Sequence, residues 1–148
     1  HTLLTQRSER CFRGIWTLTV EYYSNKKAWM TGEIFSKWLL NLDKQFTAQN
    51  LKILLFMENC TSHPPDIPSS LKFVKIQFFP PNTTSKLQPM DVGIIKNLKV
   101  HYRKNILLKI VASMEETQQL PKLFLLDCIR HLTKAWLSVT EKTISNCF

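Results

Sequence analysis

Ile53-Leu54-Leu55-Phe56-Met57 is an unbroken apolar run that ends on a carboxylate, Glu58. Its length and composition, followed by Asn59, Thr61 and Pro64-Pro65, predict a strand buried on both faces of a sheet. Ahead of it, Ile34, Phe35, Trp38, Leu39, Leu42 and Phe46 recur at helical spacing and predict a helix packed on that sheet. Thr31 is placed to cap this helix, with Glu33 in its first turn. Trp16–Tyr23 is rich in β-formers and predicts a further strand or a hairpin remnant. Phe73, Val74, Ile76, Phe78 and Phe79 predict another buried strand, separated from the first by a proline-broken loop.

The second half of the chain changes period. Pro80-Pro81-Asn82-Thr83-Thr84-Ser85 is a loop by composition, and Pro89 suits the first position of a helix. From Asp91, at ~100° per residue, Ile95, Leu98 and Tyr102 fall within ~40° of one face. Lys96, Lys99 and Arg103 lie a quarter-turn or more away, with Lys104 beside them. A last helix, roughly residues 123–139 after Pro121, carries Leu126, Ile129, Leu132 and Trp136 on one side. Strand, helix, strand and helix in this order predict an α/β domain with an at least partly parallel sheet.

Charge sharpens the picture. The 148 residues form one domain with a formal charge of +9, which favours acidic partners and nucleic acid first. Between Ile67 and Met114 the only acid is Asp91, set against Lys72, Lys75, Lys86, Lys96, Lys99, Arg103, Lys104 and Lys109. A lone carboxylate in such a field, and another at the carboxyl end of a buried strand, are the ingredients of a shared divalent-metal site. A strand-terminal Glu that merely caps its turn explains the Glu58 spacing equally well. The four cysteines show no paired spacing; Cys60 and His63 would be half a zinc site without its other half. Free thiols in a reducing compartment are the better reading. No segment has the length and hydropathy of a membrane span.

Several words of the sequence resemble the pogo/Tigger branch of the DDE transposases, to which Jerky-type and centromere-protein-B-type proteins also belong. They are Asn25-Lys26-Lys27-Ala28-Trp29-Met30-Thr31, the Ile53–Asn59 run with His63-Pro64-Pro65, and the Pro80–Ser85 loop. They continue with Leu87-Gln88-Pro89-Met90-Asp91-Val92-Gly93-Ile94-Ile95, Ala135–Thr140 and Ile144–Phe148. The resemblance implies an RNase H-like fold in which three carboxylates hold two Mg²⁺ ions. It places the second carboxylate at Glu58 and the third at Asp91. The family's first Asp would lie upstream of His1, so the chain reads as a fragment: an RNase H-like domain truncated of its first catalytic strand. On that reading residues 1–13 are unstructured, 16–111 form the core, and 121–148 form a C-terminal helical part.

Glu58 also departs from the family's Asp. The extra methylene moves the carboxylate by ~1.5 Å, while Mg²⁺ requires near-octahedral ligands at ~2.0–2.1 Å. A misplacement of ~1 Å can cost ~100-fold in rate. The basic Ile67–Met114 field and the resemblance together predict a nuclear domain that binds DNA without sequence preference through Lys96, Lys99, Arg103 and Lys104 and is catalytically inactive as it stands. A live Mg²⁺-dependent endonuclease in a longer protein, a protein-interaction module (a homodimer included) and a decayed transposon copy are the alternatives.

Overall fold

The computed structural model describes residues 12, 14, 15, 17–58, 70–80 and 88–148. They fall in two compact units, one from Ser24–Lys86, the other from His1–Tyr23 with Leu87–Phe148.

The Ser24–Lys86 unit contains α1 (Gly32–Ala48), β1 (Ile53–Met57) and β2 (Val74–Phe78). Thr31 caps α1 as expected: its hydroxyl accepts the Ile34 N–H at 3.3 Å. The helix ends in a left-handed Asn50 (φ 52°), a residue type that tolerates this conformation. The Asn50 N–H donates to the Thr47 carbonyl and the Leu51 N–H to that of Phe46, so two terminal carbonyls are satisfied before β1 begins. β1 and β2 pair in parallel, Ile53 opposite Val74 and Met57 opposite Phe78. Phe35 and Leu39 from α1 close over Met57 and Val74, with Trp38, Leu42, Phe46, Leu55 and Ile76 packed around them. Leu39 is fully enclosed, at 0% exposure.

Two expectations fail here. β1 is buried on one face only. Ile53, Leu55 and Met57 point to α1, whereas Leu54 and Phe56 are 51% and 53% exposed. The sheet has two strands among the described residues, and in this unit α1 supplies the cover for just one of its faces. An unbroken apolar run thus followed the composition of a two-sided strand without acquiring the second layer. Residues 17–23, read as strand, are irregular. Leu18 is instead buried with Phe12 and Ile129, and Val20 and Tyr22 pack against that cluster, where side-chain burial replaces strand pairing.

The second unit is helical. A π-helical turn, Met90–Ile94, leads into α2 (Ile95–Thr117), followed by α3 (Leu125–Leu137) and α4 (Glu141–Ser145). α2 packs along α3. Asn105 on α2 donates to the His131 carbonyl at 3.5 Å, and Lys109 meets Asp127 at 3.4 Å. Burial, together with the Cys128 thiol beside it, pushes the Tyr102 phenol above its usual range. The α3 face turns out differently from its expected form: Ile129 and Ala135 are buried, while Leu132 and Trp136 are exposed. Residues 59–69 and 81–87, which include Cys60, His63 and the Pro81–Ser85 loop, lie outside the described residues.

Candidate metal and nucleic-acid site

Glu58 follows β1 directly and is half-buried. The ladder runs to the end of the strand, where the Phe79 N–H donates to the Met57 carbonyl at 2.8 Å. Both strands are parallel, so Glu58 sits at their common carboxyl edge, the edge where open α/β sheets collect functional groups.

The amino edge is held by a residue that sequence reading passed over. Asp43 lies on the core side of α1, 7% exposed. Its Oδ1 accepts the Lys72, Phe73 and Val74 N–H groups at 3.1, 2.8 and 2.9 Å. Desolvation would raise the Asp43 pKa, but the three backbone donors outweigh it and hold the carboxyl below its usual range. β2 thus starts at a position dictated by α1, and its pairing with β1 carries that register to the Glu58 edge. Five strand residues at ~3.3 Å each separate the two edges. Asp43 is committed to the amino edge, where its carboxylate is taken up by backbone N–H donors. The signal was present in the sequence, since an Asp four residues after Leu39 and three before Phe46 falls on the apolar stripe.

Asp91 lies in the second unit, exposed, within the π-helical turn. Uniform α-helical spacing from Asp91 does not hold. The Ile95 N–H returns to the Met90 carbonyl, five residues back, so the turn contains an extra residue that rephases Asp91 against Leu98 and Tyr102. Such single π turns recur at functional sites. The turn is pinned from both sides. Ile94 is buried, and a Cβ on Gly93 would come within 2.8 Å of the Cys147 sulfur after α4. A larger residue there would fit only if the Cys147 side chain shifted.

On α2, Lys96, Lys99, Arg103 and Lys104 are all exposed. Their helix face is free of acids, for none occurs between Asp91 and Glu115. The structure therefore gathers the four cations and Asp91 on one continuous helical segment, and places Glu58 in the other unit.

The family model for the DDE superfamily endonuclease matches residues 5–148. The chain belongs to that superfamily. Tigger transposable element-derived protein 4 of Mus musculus is 38% identical over 138 residues, which is 93% of this chain and 26% of the relative. Major centromere autoantigen B of Mus musculus is 29% identical over 147 residues, 99% of this chain and 24% of the relative. Jerky protein homolog of Homo sapiens is 31% identical over 94 residues, 57% of this chain and 17% of the relative. These are pogo/Tigger-type proteins, as the sequence words indicated, and the chain spans about a quarter of the length of the first two. No solved structure matches it.

For a DDE-superfamily domain, the question is whether its carboxylates gather. Among the described residues no group of three or more His, Cys, Asp or Glu side chains is placed to hold a metal ion. The described residues of either unit therefore do not by themselves supply a set of ligands for Mg²⁺. Among the described residues, no helix is long and apolar enough to cross a membrane.

Proposed function

We propose that this DDE-superfamily domain is a transposase-derived, RNase H-like scaffold that binds DNA through its phosphates, without sequence preference, in the nucleus. The observation that carries it is the exposed α2 stripe of Lys96, Lys99, Arg103 and Lys104. Lys96, Lys99 and Arg103, about one helical turn apart, with Lys104 beside Arg103, neutralise neighbouring phosphates and release their counterions, which yields affinity without base readout. The names of the relatives, taken from transposable elements and the centromere, support a chromosomal setting. A homodimer finds no support in the comparisons.

Glu58 and Asp91 are the residues proposed for the second and third family carboxylates. The 148 residues by themselves are proposed to be inactive, because two carboxylates, one lengthened to Glu, leave a divalent metal short of ligands. Joining an upstream Asp-bearing strand and changing Glu58→Asp should together restore Mg²⁺-dependent nicking, and Asp91→Asn should then abolish it. Nicking by the unmodified chain, lost on Asp91→Asn, would replace this reading with that of a live endonuclease.

The binding test is a salt titration with unrelated duplexes. Affinity should fall steeply between about 50 and 200 mM salt, equally for each duplex. The double change Lys99→Glu with Arg103→Glu should weaken every duplex alike, by about tenfold or more. Binding indifferent to salt, or to the double change, would show that the stripe is a solvated surface. Absence of DNA affinity even at low salt would favour a protein-interaction module, the reading that exposed Leu107, Leu108 and Val111 on α2 would then support.

A further inference from the structure

Ahead of α1, the chain builds a small exposed loop, Asn25–Met30. Asn25 organises it. Its Oδ1 accepts the Lys27 N–H at 3.0 Å and the Trp29 N–H at 3.4 Å, while its Nδ2 donates to the Trp29 carbonyl at 2.7 Å. The Ala28 N–H returns to the Asn25 carbonyl at 3.1 Å, and Ala28 itself is left-handed at φ 51°. Alanine rarely adopts that conformation, so the surrounding bonds enforce it. The outcome is an indole held out on a fixed support: Trp29 is 74% exposed and Met30 beside it is 50% exposed. Lys26 and Lys27 are exposed in the same loop. No acid occurs between Ser24 and Gly32, and the next one, Glu33, is paired with Lys37 at 2.6 Å.

A large apolar ring presented this way is a recognition surface when something of matching chemistry covers it. The charge around it selects the occupant. Lys26 and Lys27, without an ion-pair partner among the described residues, share the loop on a chain of net charge +9, which fits an anionic polymer with flat apolar faces. Single-stranded nucleic acid has both properties, because an unpaired base exposes a π-face that duplex stacking covers, and phosphates follow on either side. The preformed loop lowers the ordering cost of such a contact.

We propose that the Asn25–Met30 loop is a stacking platform for an unpaired nucleotide of single-stranded DNA, with the base on Trp29 and flanking phosphates on Lys26 and Lys27. The proposal rests on the DNA-binding reading and adds a preference for unpaired strands to it. The contact lies wholly within the Ser24–Lys86 unit, on residues the phosphate stripe of α2 does not use.

The test measures the anisotropy of a labelled oligo-dT strand and of a labelled duplex, both with the full 148-residue chain at about 50 mM salt. Trp29→Ala should weaken oligo-dT binding about tenfold while duplex affinity stays within about twofold. Trp29→Phe should restore most of the oligo-dT affinity and should remove most of the indole quenching seen when the wild-type chain binds. Lys99→Glu with Arg103→Glu should weaken the duplex whatever stands at position 29, so failure of the stripe and failure of the platform are read separately. Unchanged oligo-dT binding in Trp29→Ala overturns the platform and leaves the DNA-binding reading intact. An equal loss on both probes, or a change in oligomeric state with no change in oligo-dT affinity, overturns it as well.

Discussion

The two units solve the same problem, how to hold a carboxylate next to an apolar core, by opposite means. In Ser24–Lys86 the support is a sheet edge. Leu39 is enclosed, the strands are in register, and Asp43 takes three backbone N–H groups that fix where β2 begins. In the helical unit, α2 is 23 residues long without one fully buried side chain. Its order comes from the turn ahead of it, where Ile94 is buried and Gly93 lies against Cys147, and from contacts with α3. Burial concentrated in a few residues makes a stiff support that tolerates no change at those positions. Burial spread thinly leaves a helix free to vary its surface, and that is where the cations are.

The largest test of this contrast is Leu39→Ala. A fully enclosed leucine loses its transfer energy and leaves a cavity, so the first unit should be destabilised by about 3 kcal/mol. Hydrogen exchange should register the loss on β1 and β2 peptides. A loss under about 1 kcal/mol would mean that the sheet is not where this unit's stability resides.

Asp43→Asn should come next. The neutral amide is a weaker acceptor than the carboxylate and can no longer anchor all three donors, so the amides of Phe73 and Val74 should exchange faster. The pH dependence has a definite sign. Folded Asp43 binds its proton less readily than the unfolded chain does, so its contribution is fully present above the ordinary carboxylate pKa of about 3.9. It is lost as the pH falls through the lower, folded value. The acid limb of a stability–pH curve should therefore flatten in Asp43→Asn. Asp127 in the other unit is also held low, first by the Phe124 N–H and then, against desolvation, by Lys109. With one backbone donor in place of three, Asp127→Asn should flatten the limb less. Equal effects would remove the contrast.

Gly93→Ala probes the second unit where it is tight. Overpacking against Cys147 should cost about 1 kcal/mol. In a Cys147→Ala background the same change should become neutral or stabilising, since alanine is the better helix former by about 1 kcal/mol. If the cost persists without the sulfur, the close approach is not its cause. Leu107→Ala on exposed α2 should have the smallest effect, within about 0.5 kcal/mol. A larger loss would show that α2 is buried against something in solution.

Much of this was legible along the chain. Helix α1, its Thr31 cap, both paired strands, the helix after Pro89 and the exposed cations all follow from periodicity, because local patterns and short-range caps act within a few residues. The family words were legible too, and the matches with pogo/Tigger-type proteins bear them out. What failed shares one cause. Trp16–Tyr23 has strand composition, yet its described residues are irregular and contribute buried Leu18 to a helix-facing cluster. β1 has the composition of a strand covered twice and is covered once. The α2 phase broke at a π turn whose Gly93 lies against Cys147, far apart in sequence.

By itself, then, the sequence determined the family, the element types and the sign of the surface, all properties of residue identity and local spacing. Only the tertiary structure decided which strand face is covered and that Asp43 anchors β2. Each of these depends on which backbone N–H or side chain arrives from elsewhere in the fold, and spacing along a chain does not encode that arrival.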